Sequence, residues 1–120
     1  MAMALTGHAA RDHVRSDMLD MEQAGRFEIL VFERAGCRYC EVFRADVARR
    51  YRELPMARKM PMRFVDVERA DIGALRLKAD LRIVPTAVVM KDGAELDRVQ
   101  GLVSAQGFFL LLQHIAGPLE

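Results

Sequence analysis

Cysteine is scarce in this chain of 120 residues: there are two, Cys37 and Cys40. A small domain stapled by disulfides spreads several cysteines along its length. Here only two residues separate the pair, a loop too short to remove much chain entropy when closed. The pair therefore argues for reactivity rather than architecture. Zinc is poorly served as well. A zinc site takes four nitrogen or sulfur ligands, and beyond these cysteines the chain offers only the scattered His8, His13 and His114. A charge imbalance is also missing: the formal net charge is +1, so electrostatics give no ground for a nucleic-acid partner. No stretch approaches the roughly 20 apolar residues of a membrane span, and there is no internal repeat, low-complexity tract or linker. The first residues lack the basic start and apolar run of a leader. Residues 8 to 23 instead carry His8, Arg11, Asp12, His13, Arg15, Asp17, Asp20 and Glu22. The chain reads as cytoplasmic or as the mature form of an exported protein.

What is present is an ordinary globular mixture, 52% hydrophobic and 29% charged, which suits one domain over residues 1–120 with a core at about 26–116. Residues 1–8 and 117–120 are set aside as peripheral or as cloning remnants. The eight methionines read as packing residues. Residues 9–24 are expected to form a helix with Val14, Met18 and Met21 as its apolar stripe, ending at Gly25. Phe27 to Phe32 is almost wholly apolar, as a strand buried on both faces should be. Ala35-Gly36 breaks it. A helix is expected from about Arg38 to Leu54, with Phe43, Val47, Tyr51 and Leu54 on one face and Pro55 ending or kinking it. Arg44, Arg49, Arg50 and Arg52 lie mostly off that face and read as solvated surface.

Met62 to Val67 is expected as a second strand, Ala70 to Lys78 as a short helix and Thr86 to Met90 as a third strand. Lys91-Asp92-Gly93 signals a hairpin, with Glu95 to Gln100 as the returning strand. Ser104 caps a last helix that turns Phe108, Leu111, Leu112 and Ile115 inward and stops at Gly117-Pro118. The strand–helix–strand unit predicts a parallel pair by a right-handed crossover, and the hairpin adds an antiparallel pair. The expected architecture is α/β, a mixed four-stranded central sheet with helices on both faces and an additional N-terminal helix.

Cys37-Arg38-Tyr39-Cys40 falls between a buried strand and a helix, which places both sulfurs in the first helical turn within disulfide reach. Free N–H groups and the helix dipole stabilise an anion there. The thiolate is the nucleophile in exchange, so the placement favours a reactive Cys37, with Arg38 and Arg34 adding positive charge and Glu33 opposing it. Cys37 is expected to attack and Cys40, one turn deeper, to resolve the mixed disulfide. Pro85, in Ile83-Val84-Pro85-Thr86, precedes an apolar strand. It reads either as a loop terminator or as a cis Val84–Pro85 bond that brings Val84 and Thr86 near the cysteines.

The order of strand, Cys-x-x-Cys helix, strand, helix, Val-Pro-Thr strand, Asp-Gly hairpin, glycine and capped helix resembles that of thioredoxins over about residues 26 to 116. Leu81 to Thr86 is similar to the family's cis-proline loop and Gly101-Leu102 to its other substrate-lining turn. The resemblance implies that Val84, Pro85 and Gly101 bind an extended substrate backbone beside Cys37. Some positions depart from the family pattern. Gly36 stands where thioredoxin has Trp, Arg38-Tyr39 replaces Gly-Pro, and Val31 occupies the place of a buried Asp. An apolar residue, Met62 or Phe64, stands for that acid's Lys partner, and Ala45 for the helix-kinking proline. Proton handling at Cys40 must therefore differ, through water or Glu33. Phe32 to Cys40 resembles the Phe-Glu-x-x-Gly-Cys-x-Tyr-Cys pattern of small periplasmic thioredoxins of bacterial sulfur oxidation, and Phe108-Phe109 is also similar. That likeness implies a periplasmic rather than cytoplasmic protein.

The expected function is a thiol–disulfide oxidoreductase, a reductase of partner-protein disulfides recharged by a membrane thiol-electron carrier. Its expected cofactor is none beyond the Cys37–Cys40 disulfide, its tuning residues are Arg38, Tyr39 and Glu33, and its substrate-binding residues are Val84, Pro85, Thr86 and Gly101. A monomer is expected. The alternatives are a disulfide oxidase or isomerase, a redox-inactive binding module, and glutaredoxin-like use of glutathione suggested by Tyr39-Cys40.

Overall fold

A computed structural model describes residues 25–118; the helix expected at 9–24 lies outside them. β1 (Phe27–Glu33) is one of the two inner strands of a four-stranded sheet. Its run of apolar residues fits that place, because Ile29, Leu30, Val31 and Phe32 are all buried, alternately on the two faces. β2 (Met62–Asp66) pairs with it in parallel, and β3 (Thr86–Lys91) and β4 (Ala94–Gln100) follow as an antiparallel hairpin, in the order β2-β1-β3-β4. The hairpin turn is Asp92-Gly93, with φ of 54° and 83°. Two successive positive φ values define the tight turn whose twist suits antiparallel strands, which is why Asp-Gly stands there.

One face of the sheet is covered by helices. α1 follows the Cys-x-x-Cys turn and has three consecutive stretches: α-helical Arg38–Val42, π-helical Phe43–Ala48 and α-helical Arg49–Tyr51. The widened stretch contains Ala45, where the family's kinking proline is absent. Phe43, Val47 and Tyr51 face the sheet as their spacing predicts. Pro55 then precedes a short helix, α2 (Met56–Lys59). α3 (Ala105–Ala116) begins at Ser104, whose hydroxyl accepts the Gly107 N–H at 3.1 Å. Phe108 and Leu112 are fully buried, and the Phe108 ring meets those of Phe43 and Tyr51 edge-on. Leu111 is exposed, contrary to expectation. The inward stripe is centred on Ala105, Phe108 and Leu112, with Phe109 rather than Leu111 at its flank.

The opposite face carries a second correction. Ala70 to Lys78 is not a helix; only Ile72–Ala74 forms a single 3-10 turn. Ile72, Leu75, Leu77 and Leu81 all pack on the sheet against Leu30, Phe32, Val65, Val88 and Met90. The spacing of 75 and 77 fits an extended chain. Backbone groups there are answered from β4 instead of within a helix: Glu95 N–H donates to Arg76 O at 2.8 Å, and the Glu95 carboxylate accepts the Lys78 N–H at 2.7 Å. Glu95 can reach this face because the β3–β4 register shifts between Val89 and Met90, a bulge that reverses the alternation of β4. Its carboxylate is also gripped by both arms of Arg98, which bonds the carbonyls of Ala79 and Asp80 at 2.8 and 3.0 Å.

Candidate active site

Cys37 is the N-cap of α1, in an extended conformation, and its sulfur accepts the backbone N–H of Cys40 at 3.2 Å. Its own N–H closes a turn on Arg34 O, and its carbonyl accepts the Glu41 N–H to begin the helix. Cys37 and Cys40 are joined as a disulfide with their Cα atoms 5.2 Å apart. The two sulfurs have different surroundings. Cys37 is half-buried, whereas Cys40 lies against the core at 3% exposure.

The Val84–Pro85 peptide is cis. The Val84 carbonyl oxygen lies 3.9 Å from Cys37 Sγ, so the loop and the cysteines meet in space although far apart in the chain. Gly101 joins them: its N–H donates to Pro85 O at 2.8 Å. Its φ is +80°, and a side chain there would press on Ile83. Thr86 stands on the inner side of the loop. It is buried and its hydroxyl donates to Ile83 O at 2.7 Å, so it shapes the loop from within. Around Cys37 the apolar side chains of Tyr39, Ile83 and Leu102 are exposed, Tyr39 at 65%. Arg38 is exposed beside them. A shallow groove of about 330 Å³, lined in part by Arg34, Arg82, Ile83 and Val84, continues the site onto the coil-covered side.

Two charges named from the sequence have partners. Arg34 pairs with Glu68 at 3.2 Å. Glu33 is held by Arg44, whose Nε donates to Oε2 at 2.9 Å while Nη2 donates to Oε1. The Glu33 carboxylate raises the Arg44 guanidinium above its usual value, chiefly through this side-chain hydrogen bond. The guanidinium also lies over the Phe64 ring, 3.8 Å from its centroid. Sequence reasoning placed Arg44 among solvated arginines and missed this contact. The available signal was its position four residues after Cys40 on one helix.

Val31 and Phe64 are register partners in β1 and β2, so an apolar pair stands side by side on the helix-covered face. Among the described residues no three His, Cys, Asp or Glu side chains group as a metal site, and no helix is long and apolar enough to cross a membrane. A half-buried sulfur at a helix start, a buried partner sulfur one turn on and an apolar rim together support thiol–disulfide exchange.

The family model for thioredoxin-like domains matches residues 14–116. No curated protein matches the chain significantly in sequence. Among solved structures, the chain is similar to the periplasmic thioredoxin SoxS from Paracoccus pantotrophus in its reduced form. That likeness has 26% identity and a TM-score of 0.70, and covers 77% of this chain and 97% of that one. Thioredoxins of Fasciola hepatica and Malassezia sympodialis share the fold, each with a TM-score of 0.62. The first is 21% identical, with 86% of this chain and 93% of that one covered; the second is 20% identical, with 84% and 85%.

Proposed function

Because the chain belongs to the thioredoxin-like family, we propose that it reduces disulfides of partner proteins by way of a mixed disulfide on Cys37 that Cys40 resolves. The observation that carries this division of labour is the asymmetry of the two sulfurs. Cys37 is half-buried at the helix N-cap, receives the Cys40 N–H, and lies beside the Val84 carbonyl, while Cys40 is enclosed.

In the reduced protein the Cys37 thiolate attacks one sulfur of the partner disulfide. A Cys37–partner bond forms, the partner's S–S bond breaks, and the second partner sulfur leaves as a thiolate. The helix N-terminus favours the attacking thiolate. Cys40 then attacks Cys37, re-forming the internal disulfide and releasing the other partner thiol. Two electrons pass to the partner, and the redox group is the disulfide itself. Val84, Pro85 and Gly101 line the path of the partner's extended backbone, which adds to the loop by main-chain hydrogen bonds. Tyr39, Ile83 and Leu102 supply apolar contact around it.

The likeness to a periplasmic thioredoxin supports action in the periplasm, where a membrane thiol-electron carrier would return the electrons. The direction of exchange is tested by the reduction potential. A value near or below about −250 mV supports a reductase, and one near about −120 mV makes the protein an oxidase. The roles are tested by trapping: Cys40→Ser should accumulate the mixed disulfide with a protein substrate. Equal trapping by Cys37→Ser would overturn the assignment.

A further inference from the structure

For Cys40 to attack, its thiol must lose a proton, and it does so inside the fold at 3% exposure. Val31, Phe43 and Phe64 on neighbouring elements are apolar and cannot accept it. Carboxylates occur on the helix-covered side of the sheet at its C-terminal end. Glu33 continues the face of Ile29 and Val31 past the end of the apolar run, and its register partner Asp66 lies beside it. The Asp66 carboxylate is engaged by the Glu68 N–H at 2.8 Å and by Arg69. Among the described residues the Glu33 carboxylate is engaged by Arg44, in a two-point contact.

Arg44 comes one helical turn after Cys40. Helical side chains lean toward the N-terminus, so a residue at this position covers the turn that holds Cys40. The π-helical stretch begins at Phe43, immediately before Arg44. Such stretches alter the direction in which side chains leave a helix and occur often at functional sites. The Phe64 ring provides a floor for the guanidinium. Three elements thus converge to fix one carboxylate: Glu33 from β1, Arg44 from α1 and Phe64 from β2. The other charges of this region are Arg38 and Glu41 in the first turn of α1 and the Arg34–Glu68 pair, all exposed.

We infer that Arg44 is a positioning residue for the resolving step, holding Glu33 where its carboxylate accepts the proton of Cys40. This rests on the roles of Cys37 and Cys40 given above. In the step, the Cys40 sulfur bonds to the Cys37 sulfur and the bond from Cys37 to the partner sulfur breaks. The partner sulfur leaves with the electron pair as a thiolate. The Cys40 proton passes to Glu33 and then to water or to the departing thiolate. The dithiol is oxidised and the partner disulfide is reduced.

The test uses the full-length reduced protein and dithiobis(nitrobenzoate). The first nitrothiobenzoate released reports attack by Cys37, and the second reports attack by Cys40. Glu33→Gln should slow the second release roughly 100-fold at neutral pH, the low end of what a positioned base contributes. Its rate should then climb with pH toward the ordinary thiol range near about 8.5. Arg44→Leu should displace the pH profile of the second release in the same direction, Arg44→Lys should restore part of it, and the double variant should be no slower than Glu33→Gln alone. Equal slowing of both releases in Arg44→Leu with the wild-type pH profile, or additive effects in the double variant, would overturn the inference. Insulin reduction by the wild type, measured alongside, judges the reductase reading separately. Its failure would leave the nitrothiobenzoate result to decide on Arg44.

Discussion

The two faces of the sheet bury the same strands in different ways. On the face covered by α1 and α3, helices satisfy their own backbone groups. The layer between them and the sheet can therefore be apolar, with Phe43, Tyr51 and Phe108 meeting edge-on. The Tyr51 hydroxyl donates to the buried Met60 carbonyl, and burial holds the phenol well above its usual range, so it stays a neutral donor. On the other face, residues 67 to 84 cover the sheet with one 3-10 turn and otherwise irregular backbone. A buried chain without a helix needs partners for its N–H and C=O groups. The strongly buried Glu95–Arg98 pair supplies them, taking one N–H and two carbonyls. A helical cover leaves its core free to be greasy; an irregular cover draws charge into it.

That contrast can be broken from either side. Phe108→Ala on the helical face should have the largest effect, about 4 kcal/mol, from lost burial and the cavity left behind. Urea denaturation reads it, and the loss should be global. Arg98→Ala on the irregular face should cost about 3 kcal/mol, because it leaves the Glu95 carboxylate buried without its partner. Here amide exchange should quicken selectively in residues 76 to 84, the segment that leads to Val84; uniform quickening would refute the separation of the faces.

The Arg98 variant also carries a pH signature. The Arg98 fork, helped by the Lys78 N–H and opposed by burial, holds the Glu95 carboxyl below its usual range. A carboxyl with a lowered folded pKa stabilises the fold fully above its unfolded value, about 4.3, and loses that contribution as pH falls through the lower folded value. Wild-type stability should fall over this acid window by more than that of Arg98→Ala. The smallest expected effect is Ser104→Ala, about 1 kcal/mol from the lost N-cap of α3. Thermal unfolding should detect it, with thiol exchange unaltered.

Much of this was legible in the residues. The apolar run of β1, the Asp-Gly turn and the Ser104 cap are local signals, and each appears where its chemistry requires. Cys37, Cys40 and the Val84-Pro85 loop were legible by their order along the chain, and the fold brings the Val84 carbonyl to 3.9 Å from Cys37 Sγ. The unread parts depend on contacts between distant segments. The helix expected at residues 70 to 78 is absent because Arg76 and Lys78 find their backbone partners on β4. Strict alternation along β4 would put Glu95 on the side of Asp97 and Val99, and the bulge turns it to the other face. Arg44 looks like any surface arginine until Glu33 and Phe64 arrive from the strands.

The bulge in β4 has a further consequence at the edge of the molecule. β4 is the last strand on its side of the sheet; Arg76 covers the start of its outer ladder by bridging Ala94 and accepting the Glu95 N–H, and the later residues form the open edge. A flat open edge invites a strand from another copy and leads toward aggregation. The register shift between Val89 and Met90 puts that ladder out of step along its length, and the exposed Asp97 adds charge to it. The irregularity that turns Glu95 inward thus also makes the open edge a poor template for an intruding strand.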